Sequence, residues 1–345
     1  MPQTESQATS STMEYRRLGE TDMHVSTLSF GGSAVGGVFG NTDFEESKKV
    51  VHEALNAGIN YIDTAPWYGQ GKSESVLGQA LWGVPRNMFY VSTKVGRYEP
   101  RVEKMFDFSA QKTIQSVDES LARLRLDYID IVQVHDMEFA PDVRVILNET
   151  LPALQKIKES GKCRYIGVTG YPLSNFREVI EKSAVKIDSI LTYCRYSMND
   201  NTLKDHIPYF RKHGVGVISA SPLSMGLLTS SLPPAWHPAQ PRVKRACREA
   251  AKYAETRGVD IATLAVQYSL GNKEVDTTLL SAATREILQK NINTVTSSPS
   301  DLERKVSQEI MDKFMKPLKN MNWEGIEARN YWNELRCLGN TNSSA

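Results

Sequence analysis

Short apolar runs alternate with amphipathic stretches from about residue 27 to residue 295. "TLSFGG" (27–32) reads as a buried strand, and "FEESKKVVHEAL" (44–55) as a helix that ends near Gly58. "NYIDT" is the next strand, followed by a helix at 73–81 and a strand at 88–94. In 109–126, Ile114, Val117, Leu121 and Leu124 recur at spacings of three and four, which marks one face of a helix. Further strands are expected at 128–135, 163–170, 189–194, 214–222 and 277–282. Between and after them, helices are expected at 151–161, 173–183, 205–213, 243–257 and 284–295.

Eight strand–helix units demand a parallel sheet covered by helices. In about 270 residues they fit an α/β fold of the (β/α)8 TIM-barrel type. A doubly wound open sheet is the alternative. "MEYRRLGETDMHVS" (13–26) predicts a hairpin ahead of the barrel, with its turn at Gly19. Residues 300–345 add a C-terminal helix and tail. The expected organisation is a disordered tail over 1–12, one barrel over 13–320 and an aromatic tail or loop over 321–345.

Composition narrows the function classes. The 345-residue chain has a net charge of +1, so it lacks a general pull toward nucleic acid or anionic membrane. No apolar run approaches the roughly 18 residues of a spanning helix, and the polar start lacks a signal-peptide core. Four scattered cysteines without CxxC spacing read as free thiols, and the six histidines lack HExxH spacing. A cytoplasmic protein without a metal site, monomeric or weakly homo-oligomeric, is expected.

In a barrel, chemistry belongs at the C-terminal ends of the strands. Asp63, Lys94 and His135 each close an apolar run there, and Tyr68 follows Asp63 by five residues. Alone, each has a plain reading as a turn former, a cap or a hydrogen-bonded histidine. Together they make a general acid–base site. A phenol titrates near pH 10, and a neighbouring ammonium should lower that value. Lys94 would be the ammonium, Asp63 its anchor and His135 a donor to a substrate oxygen. Such a site needs an external hydride carrier.

These four residues, with "GINYIDTAPWYGQGKSESVLG" (58–78) and "LRLDYIDIVQVH" (124–135), resemble the tetrad and signatures of the aldo-keto reductases. "FDFSAQKTIQSVDESLARLRLDYIDIVQVHDMEF", "GVISASPLSMGLLT" and "PPAWHPA" are similar to the L-galactose dehydrogenase-like branch. The resemblance implies an NAD- or NADP-dependent oxidoreductase acting on a small carbonyl, alcohol or sugar.

It also implies cofactor positions. The family's Ser-Asn pair for the carboxamide corresponds to Thr169 and Gly170, with Tyr193 offering an aromatic face. Ser221, Pro222 and Leu223 follow the seventh barrel strand. Ser281, Thr284, Arg285 and Asn291 fall where pyrophosphate and adenosine ribose bind. Ser281 and Ile287 stand near the usual basic positions; Arg285 is either a substitute anchor for a 2′-phosphate or a solvated arginine at a helix start, so the choice between NAD and NADP stays open. Trp67, Tyr98, Phe139, Trp236 and Trp323 are candidate walls of a substrate pocket, or aromatics that pack loops onto the barrel.

Two other readings compete. A Tyr-x-x-x-Lys dehydrogenase could use Tyr68/Lys72 or Tyr90/Lys94, but glycines interrupt the first pair and the second lies in a strand. A dinucleotide-binding regulatory or scaffold subunit with little turnover is the non-enzymatic alternative.

Overall fold

A computed structural model describes residues 13–342, with side chains to Leu338. The stretch expected as a disordered tail, 1–12, lies outside the described residues. The chain opens with an antiparallel hairpin, β1 (Tyr15–Arg17) and β2 (His24–Ser26). Eight parallel strands follow: β3 (Leu28–Gly31), β4 (Tyr61–Asp63), β5 (Tyr90–Val95), β6 (Ile129–Val134), β7 (Cys163–Gly170), β8 (Ser189–Tyr193), β9 (Gly216–Ala220) and β10 (Thr277–Ser281). Strand β10 pairs with β3 and closes the barrel, which removes the open-sheet alternative.

The alternation read from the sequence is physical. Valines, isoleucines and leucines of the strands pack outward against the helices in one large core. A smaller core fills the barrel floor: Leu18, Met23 and Val25 of the hairpin meet Tyr61, Ile131, Leu191, Ile218 and Leu279. The hairpin therefore plugs the N-terminal end, and the C-terminal end is left as the open mouth.

The segment between β9 and β10 holds two helices, Pro241–Glu255 and Ile261–Leu270, where one was expected. The second is apolar on most sides, so no clear period marks it; Asp260 caps it by accepting from Ala262 N–H and Thr263 N–H. Helix Asp301–Ile310 begins with a Ser300–Glu303 capping box. The expected tail over 321–345 is corrected. It contains the helix Ile326–Asn342, anchored by the fully buried Trp323.

Candidate active site

Asp63 closes β4, and its Cα pairs with that of Ser92 in β5, two residues before Lys94. That register brings the Lys94 ammonium onto Asp63 Oδ1 in a pair of which almost nothing is exposed. The second carboxylate oxygen accepts from Ser92 Oγ at 2.7 Å and Gln133 Nε2 at 2.8 Å. Asp63 is thus a fully hydrogen-bonded anion. A buried charge without such partners would not stay charged.

Lys94 Nζ also donates to Thr64 O at 2.8 Å and to Tyr68 OH at 3.3 Å. Tyr68 reaches it through the turn after β4. Gly69, at φ 66°, lies so close to the glycine-rich loop after β3 that a Cβ there would sit 2.1 Å from Gly36 O. A side chain at either glycine would push Tyr68 away from the mouth. His135 faces Tyr68 edge-on, with ring centroids 5.9 Å apart. Lys72, the nearer lysine in sequence, instead donates to Thr42 Oγ1 at 3.1 Å and begins a helix.

The electrostatics differ from expectation in one respect. Burial raises the Tyr68 phenol above its ordinary 10, and the opposing pull of Lys94 does not cancel it. Tyr68 is therefore a neutral phenol at neutral pH. Burial opposes the Lys94 charge, but Asp63 and Tyr68 outweigh it and hold the ammonium above its usual value. Burial, aided by Lys94 and Arg97 against Asp136, drives His135 from 6.5 down to about 3. The imidazole is neutral and can donate without carrying charge.

This shift has a stability consequence. Between pH 6.5 and about 3 the unfolded chain binds a proton at His135 that the folded chain refuses. Stability should fall as pH drops below 6.5, by at most about 1.4 kcal/mol per unit from this residue. Thermal melts from pH 7 to pH 5 should show a shallower acid loss for His135→Gln than for the parent chain.

The other candidate residues divide. Thr169 and Gly170 end β7, and Thr169 Oγ1 accepts from Asp136 N–H at 2.9 Å. A Cβ on Gly170 would meet the Glu138 carboxylate at 2.6 Å. Tyr193 ends β8 and directs its hydroxyl at Glu327, 3.5 Å away. After β9, Ser221 has a φ of 57°, and Ser224 and Met225 are also left-handed, so the backbone through Pro222 and Leu223 is tightly coiled. Ser281 Oγ bonds Ser33 Oγ at 2.6 Å. Thr284 caps the helix Arg285–Thr296 by accepting from Ile287 N–H at 3.3 Å, and Asn291 lies within that helix.

Arg285 is ion-paired: Glu46 and Glu53 of the helix Phe44–Asn56 hold its guanidinium, each at 3.2 Å. Among the aromatics, Trp67 stacks under Arg97 at 4.4 Å, and Phe139 stacks on Phe106 at 4.5 Å. Tyr98 accepts from Gly96 N–H at 2.9 Å within its own loop. Of the remaining two candidates, Trp323 takes the alternative reading of an aromatic that packs in a core. Trp236 is 62 % exposed, and Trp323 is buried in a core against Tyr171 and His237.

The sequence reading passed over Arg97, Asp136, Glu138, Glu327 and Tyr331. Asp136 adjoins His135 and could have been flagged by that alone. Tyr331 meets Phe106 and Phe139, and Glu327 precedes it by one helical turn on the C-terminal helix. Beside the tetrad, a cleft of about 720 Å³ is lined by Pro66, Tyr98, Phe106, Phe139 and Tyr331. None of the four tetrad residues lines it, so it flanks their cluster.

Residues 27–307 match the Aldo/keto reductase family. The chain belongs to that family. It is 44 % identical to L-galactose dehydrogenase of Arabidopsis thaliana over 90 % of this chain and 97 % of that protein. It is 30 % identical to D-arabinose 1-dehydrogenase of Saccharomyces cerevisiae over 83 % and 90 % of the two chains. Among solved structures, the holo form of aldo-keto reductase AKR11C1 from Bacillus halodurans overlays with a TM-score of 0.71 at 30 % identity, covering 86 % of this chain and 96 % of that one.

This aldo-keto reductase is an NAD(P)-dependent oxidoreductase acting on carbonyl or CH–OH groups. The mouth suits a nicotinamide dinucleotide. The N-terminus of the helix Arg285–Thr296, capped by Thr284, suits a pyrophosphate, whereas the Glu138 carboxylate fills the space beside Gly170 at the end of β7. Among the described residues, no helix is long and apolar enough to cross a membrane.

Proposed function

We propose that this enzyme interconverts a small aldose, aldehyde or ketone and the corresponding oxidised or reduced product. Tyr68 is the acid–base group, Lys94 and Asp63 set its electrostatics, and His135 orients the reacting oxygen. The observation that carries this reading is the buried Lys94 ammonium, bonded to Asp63 on one side and to the Tyr68 hydroxyl on the other. A buried ammonium contacting a single phenol stabilises that phenol's anion as the proton leaves. The bound dinucleotide supplies or accepts the hydride. In the reducing direction, neutral Tyr68 gives its proton to the forming alkoxide, and neutral His135 donates a hydrogen bond to the same oxygen.

Thr169, Gly170, Tyr193, Ser221, Pro222 and Leu223 would hold the nicotinamide half, and Ser281, Thr284 and Asn291 the adenosine half. Sugar dehydrogenases among the relatives support an aldose such as L-galactose as substrate. The free thiols of Cys163, Cys194 and Cys247, all buried, support a reducing, cytoplasmic setting; a monomer or weak homo-oligomer is part of the same proposal.

NAD is the favoured dinucleotide. Arg285 is paired with two carboxylates, and Ser281 and Ile287 carry no charge, so no unpaired cation marks a 2′-phosphate among these positions. Fluorescence titration should give tighter binding of NADH than of NADPH. Glu46→Gln combined with Glu53→Gln frees Arg285 and should tighten NADPH by about three- to tenfold, with NADH little changed. Steady-state oxidation of aldoses and reduction of aldehydes tests the activity itself; failure of both dinucleotides to bind at millimolar concentration would sink the proposal.

A further inference from the structure

Asp136, directly after His135, takes left-handed backbone angles of φ 51° and ψ 59°. Outside glycine this region is sparsely used, and Asp and Asn enter it where a side chain has to be aimed. The Asp136 N–H is fixed on Thr169 Oγ1, and the carboxylate, buried, accepts from Arg97 of the loop after β5. Its Oδ2 lies 2.6 Å from Arg97 Nη1 and 3.7 Å from His135 Nε2. Arg97 is itself clasped over the rings of Trp67, Phe106 and Phe139.

The gap of 3.7 Å is too wide for a hydrogen bond between Asp136 and His135. His135 is only 5 % exposed, and its Nδ1 is buried without a hydrogen-bond partner. The imidazole that faces Tyr68 and the Asp136 carboxylate therefore stand side by side without bonding each other. Two oxygens on adjacent carbons, each about a hydrogen-bond length from its partner, span such a pair. The carboxylate accepts from a hydroxyl, and the guanidinium beside it donates to the same oxygen.

We propose that Asp136, backed by Arg97, binds the hydroxyl on the carbon next to the reacting carbon, so that the enzyme selects α-hydroxy carbonyls and their vicinal-diol counterparts over simple aldehydes and alcohols. The inference rests on the oxidoreductase reading above and names its substrate class. A methylene at that place leaves the buried ion pair facing carbon in place of water, and sites built to bond a substrate hydroxyl reject such analogues strongly. The competing role for Asp136 and Arg97 is structural: a tie between the loops after β5 and β6.

Lactaldehyde and propanal separate the two roles, since they differ by that hydroxyl alone. With NADH and the full chain, kcat/KM per free carbonyl should favour lactaldehyde by about a hundredfold or more. In Asp136→Ala the ratio should fall about a hundredfold, whatever the absolute loss on each substrate. Arg97→Met, which keeps the carboxylate, should lower the ratio by about tenfold. A parent ratio near one overturns the inference without any variant. A large ratio that neither variant moves also overturns it and makes the pair structural. Turnover of neither aldehyde, nor of any other carbonyl with either dinucleotide, removes the inference together with the oxidoreductase reading.

Discussion

Tyr68→Phe should lower kcat by about 10²–10⁴-fold and leave the dinucleotide dissociation constant almost unchanged. The ring keeps its edge-on place against His135, so the loss is confined to one hydroxyl. That hydroxyl is the group in contact with the Lys94 ammonium and facing the mouth. Removing it deletes the proton donor for reduction and the acceptor for oxidation, and both directions should suffer alike. Equal turnover by parent and variant on every carbonyl tested would instead favour the regulatory or scaffold subunit that merely holds a dinucleotide. The raised phenol value predicts a further detail. Reduction, which needs the neutral phenol, should hold its rate from neutral pH up to the titration of Tyr68, whereas oxidation should gain as pH rises.

Much of this site was legible because barrels concentrate chemistry at strand ends. Asp63, Lys94 and His135 each interrupt an apolar run within one residue of a strand's end, and that signal is local to the sequence. Register adds what spacing lacks: adjacency of β4 to β5 and of β5 to β6 is what turns three isolated polar residues into one cluster.

The missed parts share a cause. Tyr193 and Glu327 are 134 residues apart, and nothing in either stretch signals the other. The C-terminal helix was read as a tail because its polar and aromatic residues show no simple stripe, yet it places Glu327 and Tyr331 over the loops after β5 and β6. Asp136 depends on a left-handed turn that an Asp permits but does not announce. Trp236 and Trp323 show the same limit from the other side. Their side chains are similar in kind, and only packing makes one exposed and the other a core anchor.

Arg285 shows how the fold pairs a cation whose partners the sequence does not place beside it. A guanidinium at a helix start suits phosphate, but Glu46 and Glu53 come from the first barrel helix, next to it only after the barrel closes between β10 and β3. Closure that completes the active site is thus also what occupies this cation.

Lys94→Met should be costly twice, and the two costs should separate. The substitution leaves the Asp63 carboxylate in the barrel with Ser92 and Gln133 but without its counter-ion. Breaking a buried ion pair on one side costs about 3–5 kcal/mol, because the remaining charge stays desolvated. Denaturant melts should show that loss directly. Adding Asp63→Asn removes the stranded charge and should return much of the stability, since a neutral amide can still bond Ser92 Oγ and Gln133. Activity should not return with it. The double variant lacks the ammonium that stabilises the Tyr68 anion, so kcat should remain down by at least about 10²-fold at neutral pH. Recovery of both stability and turnover in the double variant would mean that Lys94 serves the fold alone. Recovery of stability without turnover assigns the buried ammonium to the proton transfer at Tyr68.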